Sequence, residues 1–417
     1  MALVYALAAR LILGFYMLAA ALRLKVGVDA PDWLWRRLEP QIPDFDPARQ
    51  PRIWIHAVSV GEMKNAELLA NSIRVKAPRS LIAVSSATEG GYARATALDR
   101  ADAAFVMPID LRSRLLPIFD ALRPDAIVLA ESELWPALFA LAHERSVPIY
   151  VVNATMSERS FRRHKRFRYV SGATIPLIER TFTQDEASAS KWIDLGADPG
   201  RVEIAGSLKL APPPDAPPRL DRLDDLPSAP TVTFGNVHPE EFDVIAPVLQ
   251  RLAAEHPEFR VFLAPRHPDR FDPGQIARRL GPDVQFVSDI RAEPVTARQV
   301  WVNQMGVLTA LYAKSTAAVV CGTFCDVGGH DLAEPMHCGA VCIHGPRTEK
   351  QRALEAALSG AQCAVRVRDA KGLGNAIVSL LSDPATAASY SARFRAASQR
   401  ASVAIESITE ALLANRD

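Results

Sequence analysis

Apolar residues along this chain fall into short, nearly continuous runs separated by longer stretches of helical periodicity. In the first half the runs are RIWIHAVS (52–59), SLIAVSSA (80–87), AAFVMPID (103–110), AIVLAES (126–132), PIYVVNAT (148–155), RTFTQ (180–184) and VEIAGS (202–207). A second series starts at Thr231 with TVTFGN and continues through RVFLAPRH, VQFVSD, QVWVNQ, AAVVCGTF and AVCIHGP. Strands that are apolar throughout are covered on both faces, as in sheets whose crossovers are helices. The pattern therefore predicts two α/β blocks, each a parallel, doubly wound sheet. Between them lies APPPDAPPRLDRLDDLPSAP (211–230), too rich in proline for a regular element, which reads as a linker. The expected organisation is a first domain over 29–210, the linker over 211–230 and a second domain over 231–417. That second domain includes a helical segment from about Pro384 to Asn415. Two similar domains joined in this way predict a ligand cleft between them.

The N-terminus changes the picture. Ala2 to Leu22 is apolar except for Arg10, and Arg23, Lys25, Arg36 and Arg37 follow it. Its length is close to that of a bilayer-spanning helix. The basic residues come after the apolar run, which argues against a cleaved signal peptide. Residues 1–28 are expected to form a membrane-anchor helix. It either spans the bilayer, leaving the rest in the cytoplasm, or lies in the interface, because Arg10 and Tyr5 are awkward at mid-bilayer.

The 417 residues are 49% hydrophobic, enough for two or three domains with real cores. A formal net charge of +1 supplies no whole-protein attraction to nucleic acid, and no nucleic-acid partner is expected. The five cysteines, Cys321, Cys325, Cys338, Cys342 and Cys363, cluster in the last third, unlike a secreted disulfide framework. Their C-x₃-C spacings differ from zinc knuckles, and Cys321 and Cys342 lie within apolar runs, so no metal is expected.

Candidate chemistry gathers at strand ends, where α/β sheets bind ligands. RIWIHAVSVGE (52–62) reads as a buried strand, a turn hinged at Gly61, and a helix with Glu62 at its mouth. Glu62 is a candidate general base; the plainer reading is an acidic first turn favoured by the helix dipole. His56, Ser59, Ser85, Ser86, Thr88, Glu131, Glu133 and Asn153 share the same sheet edge. Glu131 and Glu133 follow the run AIVLA, and the plainer reading there is a helix capped by Ser132. RSFRRHKRFR (159–168) holds six Arg/Lys and two Phe in ten residues. Such a patch, with Arg162, Arg163, Lys165 and Arg166, suits phosphates of an anionic lipid; the plainer reading is a solvated helix face. In the second block, APRHPDR puts Arg266 and His267 at a strand end, where a guanidinium can grip a phosphate. Gly328 and Gly329 in GTFCDVGGHDLAEPMHCG allow close backbone approach, with amides at a helix start suited to phosphate and Glu334 suited to a ribose.

Taken together, WIHAVSVGE, AESELWP, NATMSERS, AGSLK, APRHPDR and GGHDLAEP resemble the Kdo transferases of lipopolysaccharide synthesis over nearly the whole chain. Those enzymes move 3-deoxy-D-manno-oct-2-ulosonic acid (Kdo) from CMP-Kdo onto lipid A. The resemblance implies two Rossmann-like domains in a GT-B architecture, an inverting mechanism without a metal or cofactor, and a place on the cytoplasmic face of the bacterial inner membrane. It implies that Glu62 is the base and that Glu131 belongs to the acceptor-side motif, with Ser59, Gly61 and the basic patch meeting the acceptor. Lys209, Arg266, His267, Met305, Gly306, Gly328, Gly329 and Glu334 would hold the nucleotide sugar.

The chain departs from the family pattern mostly on the donor side. Asn303 stands where an acidic residue is usual, Val307 for Glu, Asp331 for Asn and Arg347 for His, and NVH (236–238) stands for STH. Three readings stay open: a Kdo transferase, a paralogue with another CMP- or UDP-sugar donor, and a non-catalytic membrane-bound scaffold.

Overall fold

The computed structural model describes residues 36–414 except Phe167, 214–222, 224–225, Pro282 and Arg291. The expected anchor over 1–28 lies outside the described residues. Among the described residues, no helix is long and apolar enough to cross a membrane.

The chain divides into two compact units, one running to Ala211 and including the residues from Arg400 onward, the other Pro212–Gln399. The first unit holds β1 (Arg52–His56), β2 (Leu81–Ser86), β3 (Ala103–Val106), β4 (Ala126–Ala130), β5 (Ile149–Ala154), β6 (Ile178–Thr183) and β7 (Val202–Ile204). They form one parallel sheet in the order β3-β2-β1-β4-β5-β6-β7. The second unit holds β8 (Thr231–Val237), β9 (Arg260–Pro265), β10 (Val284–Val287), β11 (Gln299–Val302), β12 (Ala317–Val320), β13 (Val341–His344) and β14 (Val365–Arg366). Its parallel sheet runs β10-β11-β9-β8-β12-β13-β14.

In the first sheet the chain winds outward from β1 to β3 and then continues on the other side; in the second it runs from β8 through β9 to the edge strand β10, inserts β11 between β9 and β10, and then continues on the other side. The reversal falls between β1 and β4 in one sheet and between β8 and β12 in the other. A crevice opens at the carboxyl ends of the strands at such a switch point. The sheet interiors explain the apolar runs. In β9, Val261 and Leu263 belong to one buried cluster, and Phe262 and Ala264 to another. Successive side chains alternate between faces, so burying both faces demands an apolar residue at nearly every position. In the first unit Ile53, Trp54 and Ile55 are all fully buried for the same reason.

Two expectations need correction. The end of the helix Pro384–Ala414 belongs with the first unit, not with 231–399. There Ile405, Ile408 and Leu412 are buried, Thr409 donates to Ser72 Oγ at 2.8 Å, and Tyr150 donates to the Ala411 carbonyl at 3.1 Å. The presumed linker is also partly anchored, because Leu223 is buried in the second unit's cluster around Phe262, Val300 and Leu311. Leucine here outweighs its proline-rich surroundings: full burial of such a side chain is worth roughly 1.5–3 kcal/mol.

Candidate functional site

The switch point of the first sheet is acidic. After β1 the chain turns through Ala57–Ser59, where the Val58 carbonyl accepts from Ser86 Oγ at 2.8 Å and Thr88 Oγ1 at 2.7 Å. Gly91 permits this approach, since a Cβ there would lie 2.1 Å from Ser86 Oγ and 2.9 Å from the Val58 oxygen. The helix Val60–Lys76 then begins, with Ser59 as its N-cap in extended conformation. Glu62 reaches back over the turn: its Oε2 accepts from the Val58 amide at 2.8 Å and its Oε1 from the Ser59 hydroxyl at 2.8 Å. These contacts resemble half of a capping box, so the same carboxylate secures the helix start and faces the crevice. Burial raises the Glu62 pKa from 4.5 to about 7; the two hydrogen bonds lower it, and the charges of Glu131 and Glu133 raise it further. Gly61 itself faces open space, with nothing nearer to a built Cβ than Ser59 Oγ at 4.0 Å.

Glu131 is the first residue beyond β4, across the switch point from Glu62. It is held at φ 62°, a left-handed conformation uncommon for a residue with a side chain. Its Oε1 pairs with Lys209 Nζ at 2.9 Å, and both side chains are largely shielded. Lys209 rides on the short turn Leu208–Leu210, whose first amide donates to Asn153 Oδ1 at 3.0 Å. Lys209, expected with the nucleotide, thus stands with the first unit's carboxylates.

Glu133 is also raised, mainly by burial, with the Arg163 charge lowering it and Glu131 raising it. Ser132 does not cap the following helix, because its hydroxyl donates to the Thr155 carbonyl. The helix Pro136–Glu144 is instead capped from a distance by Asp110, whose two oxygens accept from the amides of Ala137 and Leu138, each at 2.9 Å. That role was invisible in the sequence because the partners are far apart along the chain. His56 lies deep under this site, its Nδ1 2.9 Å from Ser85 Oγ and its ring edge-on to Trp135 at 5.3 Å. Burial holds its pKa down to about 3, so it is neutral. The helix Glu158–Arg166 exposes Arg162, Arg163, Lys165 and Arg166, with Lys165 over the Phe161 ring at 5.6 Å.

The switch point of the second sheet is basic. His238 and His330, following β8 and β12, stack with ring centroids 5.2 Å apart and their Nε2 atoms at 2.9 Å. Glu241, fully buried, braces them. Its carboxylate accepts from the amides of Gly322 at 2.6 Å, Phe324 at 2.9 Å and His238 at 3.4 Å. Burial raises its pKa against the pull of those hydrogen bonds. The sequence shows it only as one of two acids in a first helical turn; its partners come from a loop eighty positions away. Burial lowers His330 from 6.5 to about 4, helped by the charges of His238, Arg266, Lys350 and His267. Arg266 and His267 are therefore brought to this pair, as their strand-end position predicts.

Other donor-side expectations change. Gly328 and Gly329 have φ 84° and 88°, as glycine permits. The Gly329 amide, however, donates to the Gly322 carbonyl at 2.8 Å and the Gly328 carbonyl accepts from Lys350 at 3.0 Å. These two bonds tie the loop to Gly322 and Lys350, engaging the Gly329 amide and the Gly328 carbonyl. Glu334 starts a four-residue helix, Glu334–His337, too short for an appreciable dipole. Met305 and Gly306 (φ 77°) form an exposed turn beyond β11, two strands from β8. Val307 is core: it is 1% exposed among Phe262, Val302 and Leu311. Arg347 pairs with Asp326 at the surface. Among the described residues no group of three or more His, Cys, Asp or Glu side chains gathers to hold a metal ion.

Residues 34–211 match the family described as 3-deoxy-D-manno-octulosonic-acid transferase (kdotransferase). That span contains Ser59, Glu62, Glu131 and Lys209. Beyond it, the chain is 26% identical over 365 residues to a 3-deoxy-D-manno-octulosonic acid transferase of Chlamydophila psittaci, covering 84% of this chain and 81% of that protein. Over most of its length the chain is similar to 3-deoxy-D-manno-octulosonic acid transferases. A 3-deoxy-D-manno-octulosonic acid transferase of Haemophilus influenzae is 28% identical over 305 residues, 71% of each chain. These relatives support a glycosyltransferase. A solved glycotransferase of kitacinnamycin shares the fold, with a TM-score of 0.52 at 16% identity over 88% of this chain and 100% of that one. The two-unit α/β fold alone is common to enzymes of other chemistry.

Proposed function

We propose that the protein transfers Kdo from CMP-Kdo to a lipid A precursor, with inversion, at the cytoplasmic face of the bacterial inner membrane. The observation that carries this reading is Glu62: a half-buried carboxylate at a switch point, with its pKa raised to about 7. A general base works best when its pKa lies near the operating pH. Here burial supplies that match, while Val58 and Ser59 fix the direction of both oxygens. A sugar hydroxyl of the acceptor approaching Glu62 loses its proton as it attacks the anomeric carbon of Kdo. One displacement of this kind inverts the configuration.

The leaving group is CMP, whose phosphate needs positive charge or hydrogen-bond donors. Arg266, His267 and Lys350 supply it in the second unit, and no metal is required. The Glu131–Lys209 pair keeps a cation beside the base, where it can meet the carboxylate of the donor sugar. The exposed cations of Glu158–Arg166 suit the phosphates of the acceptor and an anionic membrane surface. The apolar N-terminal sequence points to the same surface.

The test is a transfer assay with detergent-purified protein, CMP-Kdo and a tetraacylated lipid A precursor, read by mass spectrometry. A mass gain of one or more Kdo units is expected. No gain, while an authentic Kdo transferase works in the same mixture, overturns the donor or acceptor assignment and directs the search to other CMP-sugars. The buried position of Val307 favours a packing role for that departure over loss of catalysis.

A further inference from the structure

The contact between His238 and His330 constrains their hydrogens. Two Nε2 atoms 2.9 Å apart cannot both carry a hydrogen, nor can both be bare without repelling one another. In the neutral pair one ring therefore donates from Nε2 and has a bare Nδ1, while the other accepts at Nε2 and carries its hydrogen on Nδ1. The His238 Nδ1 is buried and has no hydrogen-bond partner among the described residues, so no bond at that atom fixes which ring is which. One further proton can enter at the bare Nδ1 without disturbing the central N–H···N bond. The pair then holds one positive charge shared between two rings.

The surroundings decide when that proton enters. Arg266, Arg270 and Lys350 face the pair with positive charge, the His267 ring lies beside His238 at 6.2 Å, and Glu240 opposes the cations. Glu240 is itself engaged by Arg270 at 2.6 Å. The rings cannot swing away easily. His330 packs on Gly322, where a Cβ would lie 3.0 Å from the ring, and Gly322 is held by Glu241, which also takes the His238 amide. The rigid pair is therefore neutral while the site is empty, and an added anion tips it towards the cation.

We propose that the His238–His330 pair binds the phosphate of the nucleotide donor and takes up one proton as it does so, adding a cation that the empty site does not hold. The proposal rests on the donor assignment above and adds two residues and a proton to it. When CMP leaves, the proton leaves with it or returns to solvent, so the site resets for the next donor.

The experiment is calorimetric titration of the full-length protein with CMP near pH 7, repeated in buffers of different ionisation enthalpy. The slope of observed enthalpy against buffer enthalpy counts protons taken up per CMP. About one proton is expected if the pair changes from neutral to charged. Cytidine, which lacks the phosphate, is expected to bind with no uptake. His330→Gln and His238→Asn are each expected to retain CMP binding, weakened tenfold or more, with the uptake lost. A solely structural role would weaken binding without changing the proton count. CMP binding to the natural protein with no uptake overturns the proposal while sparing the donor assignment, as does the same uptake in both variants. Absence of CMP binding overturns the donor assignment and this proposal with it.

Discussion

Each sheet has a switch point beside its first strand, yet the two switch points carry opposite chemistry. In the first unit Glu62, Glu131 and Glu133 crowd together with Lys209 among them, and burial pushes the Glu62 and Glu133 carboxyls up. In the second, His238, His330, Arg266 and His267 converge, and burial pushes the two imidazoles of the pair down. Both shifts favour neutral forms, because a low-dielectric crevice penalises either sign of charge. Topology therefore decides where a site lies, and the side chains leaving the strands decide which ligand it takes. An acidic, partly protonated site suits abstraction of a proton from a sugar hydroxyl. A basic site, partly discharged, suits reception of a phosphate.

The change that most severely breaks this division is Glu62→Gln. It keeps an acceptor for the Val58 amide but cannot take a proton, so transfer should fall about 10²–10⁴-fold. CMP binding, measured by calorimetry, should be unchanged because the proposed CMP site is built from the other unit's residues. In the natural protein kcat/KM should rise with pH through about 7. The sign follows from the raised pKa: below it the folded carboxyl holds its proton and is no base, and above it the base is free. The glutamine variant should lose this limb of the profile. A variant with near-normal turnover removes Glu62 from the mechanism.

Val307→Glu, which restores the residue usual in the family, should destabilise the second unit by about 3–5 kcal/mol, since it buries a charge with no partner. Thermal unfolding checks this. An unaffected melting temperature would mean that the surrounding cluster opens to solvent. Glu241→Gln should cost about 1–3 kcal/mol, because its amide nitrogen confronts backbone donors that the carboxylate satisfies. It should also disturb CMP binding while leaving the pH limb of Glu62 in place, which sharpens the separation of the two sites. Lys165→Ala should weaken association with anionic vesicles by about 1 kcal/mol, and raised salt should erase the difference. Asp326→Ala, which removes the exposed partner of Arg347, should shift stability by no more than about 0.5 kcal/mol.

The strands were legible because full burial forces their composition; β14, with two residues, left too short a run to notice. Glu62 was legible because its chemistry sits within one local segment, strand to turn to helix. Arg266 and His267 were legible for the same reason. The roles of Asp110, Glu241 and the His238–His330 pair were not, because each depends on a partner from a distant loop. Gly328 and Gly329 were legible only in part: close backbone approach was expected there, but the bond from the Gly329 amide to the Gly322 carbonyl depends on a residue outside the glycine pair. The pairing of Lys209 with Glu131 was not legible, because a lysine motif carries no information on which carboxylate it will meet.

The last helix has a consequence for recombination. The chain leaves the first unit once near Ala211 and rejoins it from Arg400. A hybrid enzyme that takes its sugar-nucleotide half from a relative therefore needs two junctions, not one. Cutting only at the proline-rich segment would graft a foreign tail onto the first unit, replacing Ile405, Ile408 and Leu412 with side chains shaped for another protein's surface. Gene exchange between relatives should accordingly favour crossovers that carry the tail with its own amino-terminal partner, or whole-gene replacement.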